Sequence, residues 1–305
     1  MSRSSALLLP LWLLLLAGCQ QKVPPPPVHY VVGAPYLAGG VWRYPKADFA
    51  YDASGIAAIE SERRARYTTD GERSSPDDFA AAHPTLQLPA IARITNLENG
   101  RQIVVRINDR GPENPARLIA VTPRVARLLG FDADGTARVR VQVLPGPSEQ
   151  IALSLPGGPK LAIARAPVGA VSVSALPALG SAAPPASPPA SPPAPGPQAP
   201  ATHAGLPASA SPISIPADER PGALSQVPPN PGAIWVRAGL FTDQDYASLQ
   251  AAALARFSPA MIPRYGGGNF QVEVRIGPFQ SVAEADSVLN QVLRSGVTGA
   301  QLVVE

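Results

Sequence analysis

The chain has 305 residues, room for two domains of ordinary size. Charged residues make up 15% of it and the net charge is only +3, against a usual charged share of ~25%. Phosphate backbones are held by clustered Lys and Arg, so this balance excludes nucleic acid as the expected partner. A single cysteine excludes an intrachain disulfide. Three histidines, at 29, 83 and 203, are too scattered for a His-rich metal site, so no metal and no cofactor is expected.

Residues 1–18 begin with Arg3, continue as an apolar run from Leu7 to Leu16 and end in Ala17-Gly18. A basic start, a short apolar core and small residues before a cut describe a secretory signal peptide. Leu16-Ala17-Gly18-Cys19 resembles the bacterial lipobox, which implies lipidation of Cys19 and a mature chain starting there. Gln20 follows, and by the same resemblance this implies transport to the outer membrane, facing the periplasm. Residues 19–39 then read as a membrane-proximal tether, with Pro24 to Pro27 a stiff polyproline spacer.

Residues 40–147 read as a β-rich domain with a closed barrel as the expected architecture. The β-branched runs around Ile91–Ile94 and Ile103–Ile107 flank Asn96-Leu97-Glu98-Asn99-Gly100, a hairpin pattern. Thr122, Pro123 and Gly130 are the cap, first turn and stop of a short helix. Val139, Val141 and Val143 alternate with Arg138, Arg140 and Gln142, as in a half-buried strand.

Proline accounts for 38 residues, more than twice the usual ~5%. Seventeen of them lie in 176–232 among alanines and serines. Such a stretch has no apolar period and cannot fill a core. Residues 148–232 are therefore read as a long Pro/Ala/Ser-rich disordered linker, with 148–175 able either to add an edge hairpin to the barrel or to fray.

Residues 233–305 read βαββαβ. Strands are expected at Ile234–Phe241, Ala260–Pro263, Phe270–Ile276 and Ala300–Val304. One helix is capped by Thr242, with Tyr246, Leu249 and Leu254 inward. The other is capped by Ser281, with Ala285, Val288, Leu289, Val292 and Leu293 inward. That order gives one antiparallel four-stranded sheet backed by two helices, an α+β fold.

Three blocks of the first domain carry chemistry-bearing residues. They are Asp70-Gly71-Glu72, Ala81-Ala82-His83-Pro84-Thr85-Leu86, and Asn108-Asp109-Arg110-Gly111-Pro112, where a buried strand breaks into a loop. With Thr95-Asn96-Leu97-Glu98-Asn99-Gly100-Arg101 they resemble the rare lipoprotein A family. That resemblance implies a double-psi β-barrel and endolytic lytic transglycosylation of peptide-stripped peptidoglycan glycan strands, leaving 1,6-anhydro ends. It implies Asp109 as acid/base, Glu72 as a second essential carboxylate, the two roles being interchangeable on sequence alone, His83 as an orienting residue and Arg110 as a glycan contact. The run Trp235-Val236-Arg237-Ala238-Gly239-Leu240-Phe241 with Val274-Arg275-Ile276-Gly277-Pro278-Phe279 resembles the SPOR domain. This implies binding of denuded glycan at the division septum, with Arg237, Gln271, Glu273 and Arg275 on the sheet face as candidates. The expected partners are thus glycan strands, the membrane through Cys19, and proteins of the division site.

The chain departs from the family pattern in three places. Ala57-Ala58-Ile59-Glu60-Ser61 stands where the family has Ala-Ser-Trp-Tyr-Gly, Ala120 where it has an acid, and Glu113 where it has Phe. They open the alternative of an inactive, glycan-binding scaffold lipoprotein. Convergence of Glu72, His83 and Asp109 on one groove is the geometric discriminator between the two.

Overall fold

The computed structural model describes residues 24–60, 67–132, 134–160, 215–266 and 269–305. Cys19 and the signal sequence, and residues 161–214 of the expected linker, lie outside the described residues. No helix among the described residues is long and apolar enough to cross a membrane.

The first domain opens with a hairpin of β1 (Tyr36–Ala38) and β2 (Val41–Arg43). The barrel strands follow: β3 (Asp52–Ile59), β4 (Ala80–Ala82), β5 (Ala90–Asn96), β6 (Arg101–Asp109), β7 (Ile119–Val121) and, after helix α1 (Pro123–Leu129), β8 (Thr136–Val143). They pair in the order β4-β7-β3-β8-β5-β6, and β6 pairs back onto β4, so six strands close into a barrel. Two pairs are parallel, β3 with β7 and β4 with β6. Parallel strands are covered on both faces and read as unbroken apolar runs, as Ala80-Ala81-Ala82 and Ile119-Ala120-Val121 do, each fully buried. Ile94, Ile103, Val105, Ile107, Val139 and Val141 fill the interior.

Local signals govern the joints. In α1 the Thr122 side chain accepts a hydrogen bond from Val125 N, Pro123 sits in the first turn and Gly130 ends the helix left-handed. The β5–β6 turn needs Gly100, whose φ is +74°. A Cβ there would stand 1.8 Å from the carbonyl oxygen of Val227, an impossible approach.

That contact comes from the stretch read as linker. β9 (Leu224–Gln226) pairs with the first residues of β6, while residues Pro145–Ser154 form a helix, α2, where an edge hairpin had been one expectation. Ser148 Oγ accepts from Ile91 N at 2.9 Å and donates to Ile91 O at 3.1 Å, stitching α2 to β5. Both ends of the Pro-rich stretch are therefore part of the barrel domain's structure. So is the far end of the expected tether: Val31 exchanges backbone hydrogen bonds with Leu88, and His29 N donates to Asp70 O.

The second domain contains β10 (Ile234–Phe241), α3 (Gln244–Ala253), β11 (Ala260–Gly266), β12 (Asn269–Phe279), α4 (Val282–Arg294) and β13 (Gln301–Val304). All neighbours are antiparallel, in the order β11-β12-β10-β13, as the βαββαβ reading expects. Val236, Val274, Ile276, Leu289 and Val292 form its core, with Phe241 and Phe279 packed against them. Ser281 caps α4 by accepting from Glu284 N. α3 differs from expectation. Its cap is Asp243 rather than Thr242, and Tyr246 and Leu249 are exposed rather than inward. Its inward residues are Ala247, Ala251 and Leu254. Their spacing of four and three follows one helical face, and the alanines let the helix lie close to the sheet.

Candidate functional site

Asp109 ends β6 at a break in register. Ala81 of β4 pairs with Ile107, but Ala82 pairs with Asp109, leaving Asn108 as the extra residue of a bulge. Bulges re-aim side chains at barrel rims. Here Asp109 lines an open groove of about 560 Å3, with Ala58, Ile59, Arg110, Glu113, Arg117 and Ala120 among its walls. Asp109 Oδ1 accepts three hydrogen bonds: from Thr69 Oγ1 at 2.6 Å, Thr69 N at 3.0 Å and Arg110 N at 2.8 Å. No hydrogen bond from the described residues reaches Oδ2. With Oδ1 saturated by donors, a proton carried by this carboxyl sits on Oδ2.

Glu72 does not line that groove. Its Oε1 pairs with Arg106 Nη2 at 2.6 Å and its Oε2 accepts from Asn108 Nδ2 at 2.7 Å. It thus reaches Asp109 through the neighbouring residue of the bulge. One turn, residues 67–73, carries both connections: Thr69 to Asp109 and Glu72 to Asn108 and Arg106. Within that turn Asp70 is fully buried. Its Oδ1 accepts from Thr68 Oγ1 and Glu72 N, while Oδ2 finds no partner. Burial pushes the Asp70 carboxyl up to about 6, and the nearby Glu72 charge adds to the rise.

His83 lies beneath the site, 1% exposed. Its Nδ1 accepts from Thr85 N and Leu86 N, and its Nε2 is 3.1 Å from Tyr51 Oη. Two backbone donors on Nδ1 leave the proton on Nε2, so the ring is neutral and donates to Tyr51. Burial, reinforced by the Arg110 and Arg43 charges, pulls its pKa down to about 3. The imidazole therefore holds the 83–86 turn, and it is the backbone N–H of His83 that donates to Asp109 O. Arg110 lines the groove wall, but its guanidinium donates inward to the carbonyls of Leu86, Val32 and His83. Its head group is committed to locking the loop. Arg117, also on the groove, is held by Asp286 of α4 through two hydrogen bonds of 2.7 and 2.8 Å.

Of the residues that depart from the family pattern, Ala58, Ile59, Glu60, Glu113 and Ala120 line this groove. Sequence reasoning missed Thr69, Arg106 and Tyr51. The tandem Thr68-Thr69 before Asp-Gly marked a turn, but nothing local singled out Thr69, whose partner is 40 residues away.

On the open face of the second domain's sheet, Glu273 is 1% exposed. Its two oxygens are taken by Arg237 Nε at 3.0 Å and Arg264 Nε at 2.7 Å. Burial would raise its pKa, but the two guanidiniums outweigh this and hold the carboxyl below its ordinary range. Glu273 is thus an internal counter-ion that orients arginines. Arg275 pairs with Glu305 at 3.0 Å and lies over the Trp235 ring at 4.0 Å. Gln271 shares this face by alternation along β12, opposite Arg264. Arg237 and Glu305 also line a cleft with Tyr51, Asp52 and Arg140 of the barrel. Among the described residues no group of three or more His, Cys, Asp or Glu is placed to hold a metal ion.

A closed six-stranded barrel with two parallel pairs, followed by a βαββαβ domain, defines a two-domain protein of the double-psi barrel and SPOR type. Family models agree: one described as lytic transglycolase matches residues 53–141, and one described as SPOR domain matches residues 230–303. By both domains the chain is similar to the rare lipoprotein A family, in which a lytic transglycolase barrel is followed by a SPOR domain. Relatives named endolytic peptidoglycan transglycosylase RlpA include one from Neisseria meningitidis serogroup B, 38% identical over 128 residues, 41% of this chain and 54% of the relative. One from Pseudomonas aeruginosa strain PAO1 is 37% identical over 135 residues, 44% of this chain and 40% of the relative. One from Escherichia coli K12 is 44% identical over 90 residues, 29% of this chain and 25% of the relative. The chain thus spans about half or less of the length of these curated relatives.

Proposed function

We propose that the chain is a lytic transglycosylase that cleaves the bond between N-acetylmuramic acid and N-acetylglucosamine in denuded glycan strands. One observation carries the reading: Asp109 lines the groove with Oδ1 anchored and Oδ2 left for a proton. The Asp109 carboxyl donates that proton to the glycosidic oxygen as the C1–O bond breaks. The C6 hydroxyl of the muramoyl residue adds to C1 and returns its proton to the carboxylate. One group serves as acid and then base, and a 1,6-anhydro end forms without water. Glu72 supports the site from behind through Asn108 and Arg106. His83 acts through the turn it holds rather than by moving protons.

The SPOR domain supports delivery to denuded glycan at the septum, with Arg237, Arg275 and Gln271 as contacts ordered by Glu273. Cys19, as the lipidated residue, anchors the chain to the outer membrane from the periplasmic side. Cys19→Ala is expected to move the protein out of the membrane fraction or leave an unprocessed precursor.

A second reading, a binding scaffold without turnover, is favoured by one feature: Glu72 is neutralised by Arg106 and stands off the groove. The deciding measurement is release of 1,6-anhydro-ended fragments from purified denuded strands by wild type and Asp109→Asn. Release by wild type alone supports the enzyme. No release by wild type, with strands still bound, replaces it by the scaffold.

A further inference from the structure

The β1–β2 hairpin presents an unusual outer face. Leu37 and Trp42 are direct cross-strand partners, 59% and 57% exposed. Tyr44, just past the end of β2, is 66% exposed. No ring among the described residues stacks on Trp42 or Tyr44. Two large aromatic side chains and a leucine held together in water are an unsatisfied surface, and such surfaces mark binding.

The hairpin is fixed to the barrel beside the Asp109 groove. Tyr36 Oη donates to Pro84 O at 2.9 Å, and Arg110 reaches back to Val32 O just before β1. At the tip Gly39 has φ +57°, and a Cβ there would stand 2.1 Å from the carbonyl oxygen of Glu113. Only glycine allows the hairpin to press this closely on the 110–115 loop. That loop, through Gly111, Pro112, Glu113 and Asn114, is one side of the groove. The groove itself has no aromatic residue among its described lining; Ile59 occupies its rim. A pyranose ring has a flat apolar face that rests on an aromatic ring while its hydroxyls stay wet, the same division that Trp and Tyr show.

We propose that Leu37, Trp42 and Tyr44 form a glycan subsite that carries sugar rings of the strand beyond the groove, supplying the aromatic platform the groove lacks. The inference rests on the reading of the groove as a glycan site, and deepens it by naming where the polymer continues.

The test uses the full chain without its first 19 residues. In a Trp235→Phe background Trp42 is the sole tryptophan of that protein. Purified denuded glycan strands are expected to quench or blue-shift its emission, while phosphatidylethanolamine/phosphatidylglycerol vesicles leave it unchanged. With Trp235 intact, Trp42→Ala is expected to raise KM for strand cleavage roughly tenfold, the size of losing one aromatic anchor, with kcat unchanged. Trp42→Phe is expected to restore it. Emission that ignores glycan, or responds to vesicles instead, overturns the subsite, as does an unchanged KM. The emission readout needs no turnover. Glycan-responsive Trp42 in a protein that releases no anhydro ends supports the subsite and defeats only the enzymatic reading.

Discussion

Thr69 grips Asp109 twice, donating from its hydroxyl at 2.6 Å and from its backbone N–H at 3.0 Å to the same oxygen, Oδ1. A hydrogen bond to a charged group is worth roughly 1.5–3 kcal/mol. Thr69→Val keeps the shape and the N–H but removes the hydroxyl. Its kcat for strand cleavage is expected to fall about 10- to 100-fold with KM little changed, and Thr69→Ser to recover most of it. Equal kcat in wild type and Thr69→Val would remove Thr69 from the site.

Asp109 and Glu72 are expected to differ in degree. General acid–base catalysis is typically worth ~10²–10⁴-fold, so Asp109→Asn should lower turnover by at least about 100-fold while the barrel stays folded. Glu72→Gln leaves Arg106 without its carboxylate and loosens the turn that carries Thr69. Steady-state kinetics should show a smaller loss, together with a lower unfolding midpoint. A larger kinetic loss for Glu72→Gln than for Asp109→Asn would reverse the two roles.

Asp70 and His83 give the barrel opposing responses to pH. The raised pKa of Asp70, about 6 against 3.8 in the unfolded chain, means the native state binds more protons between those values, so its contribution falls as pH rises. His83, at about 3 against 6.5, binds fewer protons when folded, so its contribution rises with pH over that window and is lost on acidification. Between pH 4 and 6 the two slopes, about 1.4 kcal/mol per pH unit each, largely cancel. Asp70→Asn should expose the His83 slope, measured as stability rising steeply from pH 4 to 6 in urea titrations. A variant whose pH dependence matches wild type would contradict the pairing.

Glu273 is expected to matter for folding of the SPOR domain before it matters for binding. Removing one partner from a buried ion pair strands the other charges. Glu273→Gln should cost ~2 kcal/mol or more in that domain, visible as a lower thermal midpoint. Arg275→Ala should reduce glycan binding with a smaller loss of stability. A stable Glu273→Gln variant that fails to bind would instead make Glu273 a direct contact.

Much of the fold was legible because its signals are local. The Thr122–Gly130 helix and the alternation of β8 are each written within ten residues. β4 was not legible as a strand: Ala80-Ala81-Ala82 has poor strand propensity, and pairing with β6 and β7 decides its conformation. The same holds for Leu224–Gln226 in a proline-rich context, and for α3, where alanines rather than Tyr246 and Leu249 face the sheet.

The sequence by itself determined the identities available for chemistry: Asp109 where a buried strand breaks, Glu72 after a tight turn, a histidine before a proline, and one cysteine beside small residues. Only the tertiary structure decided their duties. The bulge that aims Asp109 into the groove, the Thr69 contact across 40 residues, the withdrawal of Glu72 toward Arg106 and the neutral His83 ring all follow from chain segments brought together by barrel closure. Local sequence sets backbone preference through steric and hydrogen-bonding terms that act over a few residues. Burial and charge pairing depend on what closes around a group, and that is a property of the folded chain alone.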